Sequence, residues 1–204
     1  SLYRVFIRLG YRRKAESTKK KSKHNGHYDT PKELGKKWQM DVKYVPSACY
    51  AGEDGEKFYQ YTMLEEASRK RFIYAYRETG GYSTCDFVKR AIIWFGYAPD
   101  TIQTDNGGEF THTKKTKRIH PFDSLCAELH ITHKLSRPRT PWHNGKVERS
   151  HRNDQEPFYN HLSFYSYEDL QIQMKRYLYR SNNIPMAVLG WKSPNQKQRE
   201  META

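Results

Sequence analysis

At 204 residues the chain is long enough for one substantial hydrophobic core. Its 36 Lys and Arg against 23 Asp and Glu give a net charge of +13, which suits a polyanionic partner, and no apolar run approaches the roughly 20 residues of a membrane span. Three widely separated cysteines (Cys49, Cys85 and Cys126) form no C-x-x-C pair, which argues against a disulfide framework and for a reducing environment.

The charge is uneven. Residues 1–28 carry a net of +8, with Glu16 the one acid, and the other 176 residues carry only +5. Within this arm Leu2, Val5, Phe6 and Leu9 recur at helical spacing before Gly10. So short a helix cannot bury its stripe alone and is expected to pack on something. Lys19, Lys20 and Lys21 then read as a solvated linker.

Alternation predicts a strand over 37–45, with Trp38, Met40, Val42 and Tyr44 on one face and Gln39, Asp41 and Lys43 on the other. Strands over 57–64 and 71–76 follow across short connections, as an antiparallel meander. Ser83 and Asp86 have capping-box spacing for a helix carrying Phe87, Val88, Ala91, Ile92 and Phe95, which Gly96 ends. A short strand over 101–104 is followed by a basic loop over 111–120. A helix over 122–129, a strand over 131–135 and a helix over 145–159 come next. The last helix starts at a Ser166/Asp169 cap and carries Leu170, Met174, Tyr177 and Leu178. This order predicts an α/β layered domain, a mixed five-stranded sheet flanked by helices.

Three acids stand out by position. Asp41 lies mid-strand, Asp105 opens the turn Asn106-Gly107-Gly108, and Glu148 lies on a helix among cations. Strands one and four can be neighbours, so Asp41 and Asp105 can converge, and Glu148 can close a pocket of hard oxygen ligands suited to Mg²⁺ or Mn²⁺. Spacing alone leaves blander readings open. Asp41 could pair with a lysine, Asp105 could simply start a turn, and Glu148 could pair with Arg149 or Arg152 on the helix surface.

The strings around these acids carry a resemblance. Trp38-Gln39-Met40-Asp41, Gln103-Thr104-Asp105-Asn106-Gly107-Gly108-Glu109-Phe110, and Pro141-Trp142-His143-Asn144-Gly145-Lys146-Val147-Glu148-Arg149 occur in the order found in retroviral-type integrase cores. They most resemble those of bacterial insertion-sequence transposases. The resemblance implies a ribonuclease-H-like fold and a D-D-E triad of Asp41, Asp105 and Glu148 holding two Mg²⁺ or Mn²⁺ ions, with no other small-molecule cofactor. It implies strand cleavage and strand transfer on double-stranded DNA, at transposon ends and target, by a homo-oligomer in the bacterial cytoplasm, associated with the nucleoid and not with membrane.

It further implies a basic arm over 1–34 bearing the remnant of a helix-turn-helix, a catalytic core over 35–195 and a C-terminal tail over 196–204. The missing companion helices suggest a fragment or a degenerate copy. Two features depart from the family pattern. Forty-two residues separate Asp105 from Glu148, more than is usual, and Gln155 stands seven residues past Glu148 where relatives often carry a base. The candidate DNA contacts are Arg137, Arg139, Trp142, His143, Asn144, Lys146, Arg149 and Arg152, with Arg12, Arg13 and Lys14 in the arm. Bases there suit phosphates, and Trp142 can stack on an unpaired base. A solvated helix face is the alternative. Two His-x-x-His pairs, at His24/His27 and His130/His133, lack the nearby cysteines of a structural zinc site. The rival functions are a non-catalytic DNA-binding remnant and a nuclease of the ribonuclease H type.

Overall fold

The computed structural model describes residues 5, 6, 9, 30–52, 55–114, 116–136 and 144–203. Five strands make one mixed sheet in the order β3-β2-β1-β4-β5. β1 (Trp38–Tyr44), β2 (Tyr59–Glu65) and β3 (Arg71–Tyr76) form the expected antiparallel meander. β4 (Thr101–Thr104) returns parallel to β1, and β5 (Thr132–Leu135) pairs parallel to β4.

Alternation along the strands gives the sheet two unlike faces. Met40 lies opposite Met63, and Val42 opposite Tyr61. With Trp38 and Phe72 these side chains form an apolar face under α1 (Gly81–Phe95), whose Phe87, Val88, Ala91 and Phe95 are buried. Phe95 lies 4.4 Å from the Trp38 ring, and Phe87 stacks on Phe72 at 5.5 Å. The opposite face presents Gln39, Asp41, Gln60, Thr62 and Arg71, and is covered by α3 (Gly145–Gln155) and α4 (Tyr167–Asn183). Leu170, Met174 and Leu178 bury the inner stripe of α4 as expected. α2 (Pro121–Glu128) packs beside α1 and β5.

The outer edge of β3 takes its partners from α4 side chains. The Asn182 amide accepts from the Arg71 N–H at 3.1 Å and donates to its carbonyl at 2.8 Å. The Ala75 carbonyl accepts from Gln171 Nε2 at 2.8 Å and from the Tyr167 hydroxyl at 2.9 Å.

Several boundaries differ from expectation. Gly80 precedes α1, so Ser83 falls inside the helix and no capping box forms. The Asp86 carboxylate instead accepts from the Tyr76 hydroxyl and Arg90 Nε, each at 2.6 Å. α3 stops at Gln155, with Glu156 still helical in its dihedrals and Pro157 offering no N–H to extend the ladder, and a 3-10 turn follows at Tyr159–His161. The residues taken as a C-terminal tail mostly belong to α5 (Pro194–Glu202), which a complete Ser193/Gln196 capping box starts. In the arm Val5, Phe6 and Leu9 remain 50–60% exposed, so the packing expected of their stripe is not seen. No helix among the described residues is long and apolar enough to cross a membrane.

Candidate active site

Strand register brings the first two acids level. Gln39 on β1 pairs with Gln103 on β4 in parallel, and Asp41 and Asp105 each lie two residues further on. The Asp105 turn is then fixed by its own sequence. Asp105 Oδ1 accepts from the Gly107 N–H at 2.9 Å, and Asn106 Nδ2 donates to the Ser136 carbonyl at 3.0 Å. A Cβ at Gly107 would stand 2.7 Å from the Glu109 carboxylate, so the bare backbone lets Glu109 fold across the turn. Phe110, fully buried, anchors the end of the string.

Glu148 arrives by the docking of α3 on the polar face of the sheet. Asn144 Nδ2 donates to the Met40 carbonyl at 3.3 Å, and the Val147 N–H donates to Gln39 Oε1 at 3.1 Å. Gln39 Nε2 in turn donates to the buried Glu66 at 2.8 Å, which also receives Lys37 at 3.2 Å and Lys146. Desolvation holds both lysines below their ordinary pKa despite the carboxylate between them. Val147 is fully buried, and the next residue, Glu148, is left exposed toward Asp41 and Asp105.

The carboxyls feel one another. The Asp105 carboxyl is pushed up, chiefly by lost solvation and then by the charge of Asp41. Glu148 is raised by lost solvation, then by Asp41 and Asp105, with Arg152 and His151 opposing. Glu109 is also raised, by lost solvation and then by Asp105 and Asp41, after a backbone hydrogen bond that lowers it. Among the described residues no three His, Cys, Asp or Glu side chains stand close enough together to hold one ion. The donor chemistry nonetheless fits a hard divalent cation: these are carboxylate oxygens whose shared repulsion a cation relieves.

Outer partners fix Asp41. Its Oδ1 accepts from the Val42 N–H at 2.9 Å, and Oδ2 lies 3.4 Å from His151 Nδ1. His151 Nε2 meets the Thr62 hydroxyl at 2.8 Å, and Gln60 Nε2 donates to that hydroxyl at 2.9 Å. Gln60 Nε2 also reaches the buried Asp154, which pairs with Arg71 at 2.7 Å and accepts from the Tyr177 hydroxyl at 2.8 Å. An ordered polar network thus underlies the first carboxylate.

The candidate DNA contacts divide. Arg149 and Arg152 are exposed on α3, and Arg152 acts electrostatically on Glu148. Asn144 is buried as the N-cap of α3, and Lys146 points at Glu66, so both serve the docking of the helix. Arg137, Arg139, Trp142 and His143, with Arg12, Arg13 and Lys14, lie outside the described residues. His151 and the nearness of Glu109 went unread in the sequence. For His151 a signal existed, since it follows Glu148 by three residues and so shares its helix face.

The Integrase core domain family model matches residues 31–141, and a second model of that description matches residues 129–194. The putative integrase ORF3 of Spiroplasma virus SpV1-C74 is 30% identical over 169 residues, 78% of this chain and 46% of that protein. The chain thus spans about half the length of that relative. The Gag-Pro-Pol polyprotein of sheep pulmonary adenomatosis virus is 29% identical over 117 residues, 56% of this chain and 6% of the polyprotein.

Among solved structures, a chain of the simian T-cell lymphotropic virus intasome with PP2A regulatory subunit B56 gamma superimposes with a TM-score of 0.63 at 18% identity, covering 84% of this chain and 56% of that one. The HTLV-2 integrase catalytic core domain in complex with magnesium, in its trimeric form, gives 0.58 at 18% identity, covering 80% and 96%. At such identity the likeness speaks for the fold, which is ribonuclease-H-like.

Proposed function

Because the chain belongs to the integrase core domain family, we propose that it is the catalytic core of a DNA-cutting and DNA-joining transposase, with Asp41, Asp105 and Glu148 as its carboxylate triad. The observation that carries this reading is the parallel register of β1 and β4, which sets Asp41 level with Asp105, together with the docking of α3 on Gln39 and Met40, which carries Glu148 to the same face of the sheet. Two neighbouring Mg²⁺ or Mn²⁺ ions, when bound, supply activation of the attacking oxygen and charge stabilisation at the leaving one. The chain's own part is preorganisation. His151 and the Val42 N–H orient Asp41, the Gly107 N–H orients Asp105, and the Gln39–Glu66–Lys146 cluster sets the height of Glu148. Arg149 and Arg152, both exposed on α3, would receive phosphates in this reading. Because strand transfer joins two ends, a dimer or larger assembly is expected on DNA.

The test uses labelled duplexes carrying the flanking ends of the gene, with Mn²⁺ and with chelator. Metal-dependent nicking and joined products are expected. Asp41→Asn, Asp105→Asn and Glu148→Gln should each lower them by at least about a hundredfold, since even outer partners of a metal site are worth 10–100-fold. Unchanged nicking in Asp105→Asn would sink the triad. Binding without cleavage would identify a non-catalytic DNA binder, and cleavage confined to RNA–DNA hybrid a ribonuclease of this fold.

A further inference from the structure

β5, α2 and β4 meet directly beneath the Asp105 turn, and three polar side chains join them in series. Asp123, in the first turn of α2, places Oδ1 2.6 Å from Nδ1 of His133 on β5. His133 Nε2 lies 2.9 Å from the hydroxyl of Thr104, the last residue of β4. That hydroxyl donates to the backbone carbonyl of Asp105 at 2.9 Å. The series has the order of a carboxylate–imidazole–hydroxyl triad, but Thr104 is fully buried, so no substrate reaches its oxygen.

What the series does reach is a peptide group. The Thr104 hydroxyl stands between the Asp105 carbonyl and His133 Nε2, within hydrogen-bond distance of both. The imidazole cannot turn away, because the fully buried Phe122 packs edge-on against it at 4.5 Å and Asp123 holds its other nitrogen. The carbonyl at the end of the series belongs to the peptide between Asp105 and Asn106. Immediately beyond it, Asn106 is tied to Ser136 and the Gly107 N–H to Asp105 Oδ1. Turning that peptide plane would therefore move the Asp105 carboxylate and both of these bonds together.

We propose that Asp123, His133 and Thr104 act as a positioning relay that fixes the Asp105–Asn106 peptide, and through it the aim of the Asp105 carboxylate. This rests on the reading of Asp105 as a member of the triad. It does not follow from the D-D-E pattern, since none of the three residues is a candidate ligand.

Thr104→Val removes the hydroxyl with little change of shape, Thr104→Ser keeps it, and Asp123→Asn removes the charge at the far end. Two measurements on the full chain decide the matter. In the metal-free protein, the amide resonances of Asn106 and Gly107 should shift in Thr104→Val and in Asp123→Asn and return toward wild type in Thr104→Ser. The Mn²⁺ concentration for half-maximal duplex cleavage should rise about tenfold in Thr104→Val, the low end of what outer partners contribute, and less than about threefold in Thr104→Ser. Wild-type amide positions and Mn²⁺ dependence in Thr104→Val would overturn the relay. So would equal impairment of the Val and Ser variants, which marks a loss of packing. Should Thr104→Val fail to fold, Asp123→Asn on the half-exposed side of α2 carries both readouts alone. Asp105→Asn is run in parallel. Full cleavage there removes the triad and the relay with it, whereas its loss beside an unaffected Thr104→Val removes the relay only.

Discussion

A carboxyl is at ease in a folded protein when cations or N–H groups surround it, and Asp105, Glu109 and Glu148 are not. Each is raised above its ordinary value, first by lost solvation and also by neighbouring acids. A group whose folded pKa exceeds its unfolded one binds protons more readily folded, so its contribution to stability is present at low pH and is lost as pH rises through the folded value. Between neutral pH and the value near 4 of an unfolded carboxyl, acidification should therefore relieve these three acids, while protonation of His120, whose pKa burial lowers, costs stability in the same window, so the wild type is read against Asp105→Asn. Asp86, where hydrogen bonds from Arg90 and Tyr76 outweigh desolvation, has a lowered pKa and loses its contribution only below that window. Asp105→Asn should raise the metal-free midpoint at pH 7 and flatten its pH dependence. Mn²⁺ should stabilise the wild type and leave this variant nearly unmoved. A scanning fluorimetry series from pH 7 to 5, with and without Mn²⁺, checks all of this. A pH dependence in Asp105→Asn equal to that of the wild type, or an equal Mn²⁺ shift in both proteins, would contradict the repulsion.

At the scale of elements, strands and helices were readable because their burial is periodic. β3 and β4 fall on the residues expected as strands between polar and turn-forming breaks, and the Ser166 cap of α4 accepts from the Asp169 N–H as its spacing implies. Less legible was what lies under α3. The stretch from Asn144 to Arg152 reads as a cationic, solvated face because sequence shows only neighbours along the helix. The partner of Lys146 is Glu66, 80 residues earlier, and topology alone joins them. The same holds for Asp154 and Arg71, whose pairing needs α3 laid across β1 and β2 so that its end reaches the first residue of β3. Glu66→Gln keeps the shape of the α3 dock and removes the charge that Lys37 and Lys146 face. It should destabilise the fold by about 3 kcal/mol, as the loss of one partner from a buried ion pair does. It should also lower cleavage beyond the fraction unfolded, because Glu148 rides on the same turn of helix. Urea unfolding beside duplex cleavage separates the two effects, and activity that merely tracks the folded fraction would refute the second.

For the whole molecule, charge divides into an arm of +8 and a body of +5 over the remaining residues. Within the body, Lys146 Nζ on the helix that carries Glu148 donates to the Thr30 hydroxyl at 3.1 Å. Phosphate contacts set the salt dependence of DNA affinity, so deleting residues 1–28 should flatten the log–log salt slope and leave Mn²⁺-dependent cleavage detectable. An unchanged slope, or loss of all cleavage, would refute this division of labour. The edge of β3 has a consequence for how the molecule fails. Of its outward-facing backbone groups, those of Arg71 and Ala75 are engaged by Asn182, Gln171 and Tyr167, so α4 stands in for a sixth strand. Exposed strand edges template pairing with other chains. A molecule whose α4 peels away would then be adhesive along β3 before its sheet has melted, and heating would end in aggregates seeded at that edge.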